Sequence, residues 1–319
     1  MAVAIAGEIA ADSGVEQRKR ELFAYLDERL DTAGLVGEIA VTRAPSKMPR
    51  HIWMYWHDGW DNAPEVAKLC LRSWKLHNPD FELHALDFES LPQFVSDVPV
   101  HKGASKLNGF ANRVRLRLLR NHGGVWADAT LFCTQPVDPW ISEMVAAAQF
   151  FALVSPEPDR IVATWFIAAT AQSPLIVAWE RMLAAYFECV ENDNRPIHAY
   201  FVMAYILEYL LGKHPQLQAL WEQMPKVRLQ RRAKVSSIAQ LTRTGDVPAI
   251  DAATRKAIAN ALTRNNMQKL TWKAGMLEGT APARQVLEML DAHLQAHGEH
   301  HLRDTTLRLA VVPAGISIG

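Results

Sequence analysis

The sequence predicts an α/β fold, an open sheet flanked by helices with a helical C-terminal part, and three stretches carry that prediction. Residues 48–87 run through strand, helix and strand patterns in turn. Residues 107–130 read as a helix, a glycine turn and a short buried strand that ends in a carboxylate. Beyond two more strand patterns between residues 150 and 169, helix-period hydrophobicity dominates to about residue 297. At 319 residues the chain is long enough for one large α/β domain or two small ones.

Composition narrows the function classes. Hydrophobic residues make up 49% and charged residues 21%, as in an ordinary globular protein. Lys plus Arg and Asp plus Glu are 34 each, so no global basic field exists to attract nucleic acid, and any anionic ligand must be held locally. Cys70, Cys133 and Cys189 are odd in number and lack a Cys-x-x-Cys spacing, which argues for buried thiols in a reducing compartment rather than a zinc site or disulfides. No run reaches the roughly 18 apolar residues that span a bilayer. The start, MAVAIAGEIAADSG, has acidic residues and no basic leader, so it does not read as a secretory signal. A cytoplasmic protein is expected, with any membrane contact peripheral. No repeat, heptad run, or Gly-x-Gly-x-x-Gly or P-loop fingerprint is visible, and the oligomeric state is left open.

Residues 1–44 form an expected N-terminal helical extension, whose Leu22, Phe23, Leu26 and Leu30 share one side of a helix from Val15 to Leu30. Residues 45–297 form the main domain and 298–319 a tail. His51 to Trp56 alternates as a first strand rich in aromatics, followed by the turn His57-Asp58-Gly59. Asp61 or Asn62 is expected to cap a helix with Pro64 in its first turn and Val66, Leu69, Cys70 and Trp74 facing inward. Asn78-Pro79 ends that helix, and Phe81 to Leu86 is the next strand, with Asp87 at its tip. In open sheets ligands gather beyond the carboxyl ends of strands, where Trp56, Asp87 and Asp128 would meet.

In the stretch from Leu107 to Thr130, Leu107, Phe110, Ala111, Val114 and Leu118 share one helical face, with Leu116 and Leu119 on another. Arg115 and Arg117 flank the first stripe, and spacing leaves open which of them turns inward. Gly123-Gly124 stops the helix, and Val125-Trp126-Ala127 forms a strand. Asp128 and Thr130 then point to the same side of extended backbone, an oxygen pair suited to a divalent cation such as magnesium or manganese when a substrate phosphate completes the shell. The competing reading is that Asp128 caps a turn. Further on, Pro139-Trp140 opens a short helix, Phe150–Val154 and Thr164–Ala169 are strands, Ser173-Pro174 starts a long helix, and another runs from His198 to Leu211. The last helix spans Pro282 to His297.

The arrangement Ala111-Asn112-x-x-Arg115, then Gly123-Gly124-Val-Trp-x-Asp128-x-Thr130, resembles the sugar-nucleotide site of family 32 type glycosyltransferases, in their capsular polysaccharide synthesis branch. Ile52-Trp-x-Tyr-Trp and Ser73-Trp-Lys-x-x-Asn-Pro resemble the opening of the same family, and Trp165-Phe166-Ile167-Ala168 its acceptor side. Gln268-Lys269-Leu270-Thr271-Trp272-Lys273 is similar to its C-terminal His-Lys-Leu-Thr-x-Lys element. Asn112 stands where the family has Asp, and Gln268 where it often has His.

The resemblance implies a GT-A-like, Rossmann-type mixed sheet and transfer of a sugar, with retention, from a nucleotide-sugar donor to a glycan acceptor. It selects Arg115 as the inward arginine and makes Asp128 and Lys269 the candidate catalytic residues. Trp53, Tyr55, Trp56, Asn112, Arg115, Gly123, Gly124, Thr130 and Lys273 become candidates for donor binding, and Asp128 with Thr130 for a manganese or magnesium ion. For Trp53, Tyr55 and Trp56 themselves, core packing is the better reading of two of the three. Two other readings stand beside it. One is a sugar-nucleotide or glycan binding module without chemistry, favoured by Asn112, Thr130 and Gln268. The other is a metal hydrolase using His57 and Asp58, with Asp61 near them.

Overall fold

Alternation in His51–Tyr55 builds strand β1, and the helical spacing after it builds α3 (Glu65–His77), which returns the chain to β2 (Glu82–Leu86). The two strands pair in parallel, His51 opposite Glu82 and Tyr55 opposite Leu86. The computed structural model in which these elements are seen describes residues 2–37, 47–95, 98, 106–155, 157–227, 250–264, 266–270 and 281–298. Two N-terminal helices precede them, the long α1 (Ala2–Arg29) and the short α2 (Thr32–Val36).

After β2 the chain forms α4 (Lys106–His122), β3 (Gly124–Ala127), β4 (Leu131–Cys133), α5 (Asp138–Ala146), β5 (Phe150–Val154), β6 (Val162–Ala169) and α6 (Pro174–Asn192). Helices α7 (Val202–Lys213), α8 (Pro215–Gln223) and α9 (Ala252–Arg264), strand β7 (Met267–Lys269) and helix α10 (Ala281–Gly298) complete the described order. The main sheet runs β2-β1-β3-β6-β5. β1 pairs in parallel with β2 and β3, whereas β6 is antiparallel to both β3 and β5. This is the expected mixed sheet flanked by helices. A separate pair, β4 with β7, is antiparallel and brings residues 131–133 against 267–269.

Burial explains why the central strand reads as unbroken apolar sequence. Val125, Trp126 and Ala127 are all buried between neighbours on both edges and helices on the faces. Helix α4 is buried on more than one face, Val114 and Leu118 on one and Leu116 and Leu119 on the other. From α1, Leu22 and Leu26 enter the same buried cluster as the sheet residues. Around them Tyr25 donates to Asp193, Tyr209 donates to Asp27, and Lys19 pairs with Glu208.

Two local expectations are corrected. Neither Asp61 nor Asn62 caps α3. The Asn62 amide donates to the Asp58 carbonyl and closes a 3-10 turn at Trp60–Asn62, so the helix starts later, with Pro64 at its N-cap. The helix expected from His198 begins at Val202, because Tyr186 Oη accepts the His198 backbone N–H and holds that segment outside the helix. Leu107, Lys273 and the tail beyond residue 298 lie outside the residues whose side chains are described. Among the described residues no helix is long and apolar enough to cross a membrane.

Candidate active site

The turn from α4 into β3 sets where Asp128 emerges. Gly123 and Gly124 have φ of 66° and 92°, a backbone that favours glycine. A Cβ on Gly123 would lie 2.5 Å from the Ala171 nitrogen, and one on Gly124 2.5 Å from the His51 carbonyl oxygen. These two residues sit at the start of β3, about 13 Å of extended chain from Asp128 at roughly 3.3 Å per residue. Their backbone lets the helix, β1 and β6 pack closely.

At the other end of β3 the Asp128 carboxylate is gripped from three directions. Arg115 Nη2 donates to Oδ1 at 2.8 Å, Trp126 Nε1 donates to the same oxygen at 2.8 Å, and Lys269 Nζ donates to Oδ2 at 3.0 Å. Lys269 Nζ also reaches Thr130 Oγ1 at 2.8 Å. The Asp128 N–H is tied to the Trp165 carbonyl, and its own carbonyl accepts from Leu131. Burial alone would raise the Asp128 carboxyl, but the Lys269 and Arg115 charges with the Trp126 and Lys269 hydrogen bonds outweigh it and hold it at about 2. The carboxylate is therefore ionised, and its side chain stays 25% exposed.

Arg115 is the arginine that turns inward. It is buried, its Nη1 donates to Asn112 Oδ1 at 2.9 Å, and its guanidinium lies 4.9 Å from the Trp126 ring. An amide at position 112 thus still orients the arginine, without adding a charge. Arg117 points elsewhere, to Glu180 on α6. Lys269 arrives through the β4–β7 pair, in which it stands opposite Leu131, and the Leu270 N–H bonds to the Thr130 carbonyl. Gln268 faces the opposite way, buried, with its amide donated to the Ala261 carbonyl.

The aromatic trio divides. Trp53 is 1% exposed, stacks on His84 at 4.1 Å and donates its N–H to the Gly123 carbonyl, which leaves no surface for a base. It packs in the core, the reading favoured from sequence for two of the three aromatics. Tyr55 is buried and its hydroxyl is bonded to His57 Nδ1 at 2.8 Å. Trp56 is the partly exposed member, packed on the small cluster of Ala63, Ala67 and Ala129, and so stands beside the Asp128–Thr130 turn. Of the stretch 165–168, Phe166, Ile167 and Ala168 are buried.

The donor set does not fit a divalent ion at Asp128 and Thr130. Lys269 Nζ already bridges Oδ2 of the one and Oγ1 of the other, the two oxygens such an ion would share. A dication there would add to two cations around a single carboxylate, with no second acid paired to either cation among the described residues. Nor do His57, Asp58 and Asp61 converge on a metal position among the described residues.

Residues 9–284 match the family described as capsular polysaccharide synthesis protein. The chain belongs to that family. Inositol phosphoceramide mannosyltransferase 1 of Schizosaccharomyces pombe is 27% identical over 172 residues, covering 50% of this chain and 48% of that protein. An O-glycosyltransferase of Annulohypoxylon truncatum is 27% identical over 190 residues, 52% of this chain and 44% of its own length. The chain spans less than half the length of the curated relatives it matches. Among solved structures, the PaToxG glycosyltransferase superposes with a TM-score of 0.39 at 13% identity, over 79% of this chain and 99% of that one.

Trp126 is the site residue that sequence reasoning passed over. It lies two positions before Asp128 in an extended strand, which puts both side chains on one side, and that spacing is the signal that points to it.

Proposed function

We propose that this protein is a glycosyltransferase that moves a sugar from a nucleotide-sugar donor, a UDP-sugar, to a hydroxyl of a glycan acceptor during synthesis of a capsular or surface polysaccharide. The observation that carries the proposal is the ionised Asp128 carboxylate at the open end of β3, held by Arg115, Trp126 and Lys269. Membership of the family and the glycosyltransferase names of the relatives support the same class.

In this reading Asp128 accepts hydrogen bonds from donor hydroxyls, and Trp56 offers its ring face to the base. Lys269 answers the leaving diphosphate. As the bond from the anomeric carbon to the diphosphate oxygen breaks, the electron pair stays on that oxygen, and a fixed ammonium stabilises the charge more in the transition state than before it. The acceptor oxygen bonds to the same carbon and gives its proton to the departing diphosphate oxygen. The family resemblance supports retention of configuration. No step is routed through a metal ion. A cytoplasmic site of action with peripheral membrane contact completes the proposal, supported by free cysteines, two of them buried.

Purified protein is incubated with UDP-sugars and UDP release is followed. Asp128→Asn is expected to lower turnover on the order of 100-fold or more, in the range seen when a fixed electrostatic group is lost. Equal release by both proteins removes Asp128 from the chemistry. The second reading, a sugar-nucleotide binder without turnover, is favoured by Gln268 facing inward. It would show as thermal stabilisation by UDP-sugar with no UDP released.

A further inference from the structure

At the opposite end of the sheet from Asp128, the parallel register sets His51 of β1 against Glu82 of β2, with His84 two residues on and facing the same way. His51 Nδ1 lies 3.0 Å from His84 Nε2 and 3.3 Å from Glu82 Oε2, and His84 Nε2 lies 3.6 Å from the same carboxylate oxygen. Three donors at such separations outline one face of a tetrahedron. For metal–ligand bonds of about 2.0–2.1 Å, the edge between two ligands of a tetrahedral ion is about 3.3 Å.

We propose that His51, Glu82 and His84 form a binding site for a zinc-like divalent transition metal that clips the edge strand β2 to β1. Two imidazoles and one carboxylate suit zinc, and they leave a fourth position for water. That position faces outward, since the Glu82 side chain is 67% exposed while His84 is 9% exposed. The His84 ring is preset. Trp53 stacks on it at 4.1 Å and 14°, and Phe94 meets it edge-on at 4.9 Å. Without metal, the two facing nitrogens can bond only if one carries a proton. When a metal takes both facing nitrogens, that ring changes tautomer and carries its proton on its other nitrogen.

The site stands apart from the proposed transfer chemistry, so its test does not depend on that reading. Metal-free full-length protein is given zinc alone, dialysed and analysed for bound zinc, and its melting temperature is compared with and without the ion. Wild type is expected to keep one zinc per chain and to melt higher with it. Glu82→Gln, an exposed change that leaves the core intact, should weaken binding on the order of tenfold or more, and the His51→Gln/His84→Gln pair should abolish it. A second histidine group, His77, His293 and His297, lines a separate pocket of about 320 Å³, and His293→Gln/His297→Gln serves as the control. Zinc lost with the control pair, zinc held equally by Glu82→Gln, or no zinc on wild type overturns the proposal.

Discussion

Helix α4 sends guanidinium groups to two different carboxylates, and the two clusters share one charge count while differing in everything that decides use. On the α6 side, Arg117 Nε and Arg120 Nη1 donate to Glu180 at 2.7 and 2.6 Å, and the Glu180 side chain is 5% exposed. At the end of β3, Arg115 and Lys269 hold Asp128, whose side chain is 25% exposed, and Lys269 itself is 32% exposed. Each cluster is one negative group between two positive ones. The first is closed between packed helices, so its surplus positive charge fixes α4 to α6. The second is open at a strand end, so its surplus faces whatever enters, which suits an anionic diphosphate more than another cation. Position in the fold, more than composition of the cluster, separates a clamp from the proposed binding site.

Breaking the closed cluster should give the largest effect on stability. Glu180→Gln leaves two guanidinium groups facing an uncharged amide at a helix interface, and loss of one partner from a buried ionic group costs about 3–5 kcal/mol. Urea unfolding is expected to show that loss, while any surviving folded protein keeps its donor affinity. A stable Glu180→Gln protein would put the two clusters in one class and remove the contrast.

The open cluster should respond in the reverse sense. Lys269→Met takes away a partly exposed ammonium, so some melting temperature is lost with its hold on Asp128, and UDP release is expected to slow about 10²–10³-fold. The companion measurement is wild-type turnover with EDTA and with added manganese. Because Lys269 occupies the position between Asp128 and Thr130, activity should be unchanged by the chelator. Loss of activity in EDTA that manganese restores would show that a cation displaces the lysine.

How much of this was legible in the chain depends on how local each feature is. The order of strands and helices around residues 48–87 and 107–130 followed from periodicity and the glycine pair, and the described structure keeps it. Asp128 stood out because an apolar strand leads straight to it. Arg115 did not, since projection treats it and Arg117 alike and only the family pattern chose between them. What places Arg117 elsewhere is Glu180, 63 residues away. Lys269 meets Asp128 across 141 residues through the register of two three-residue strands, which no local pattern encodes. The His51–Glu82–His84 group is hidden for the same reason, because its donors meet only through the parallel register of β1 with β2. The aromatics of β1 were legible as a group, but which of them is buried depends on which face α4 covers.

The smallest expected effect separates the two clusters by pH. The Asp128 carboxyl lies at about 2 in the folded protein against an ordinary 3.8, so its contribution to stability is complete above about pH 4 and disappears as pH falls through about 2. A difference of nearly two units corresponds to about 2 kcal/mol. Trp126→Phe keeps the ring that covers Arg115 and deletes only the N–H donated to Oδ1, a hydrogen bond to a charged group worth about 1.5 kcal/mol. In that variant the carboxyl should rise toward its ordinary value, and acid unfolding should begin about one pH unit higher than in wild type. Neutral-pH stability should fall by about the same 1.5 kcal/mol, because that is the hydrogen bond's share of holding the ionised form. If acid unfolding of Trp126→Phe follows the wild-type curve, the indole does not help to keep Asp128 ionised, and the grip on that carboxylate is the work of Arg115 and Lys269 alone.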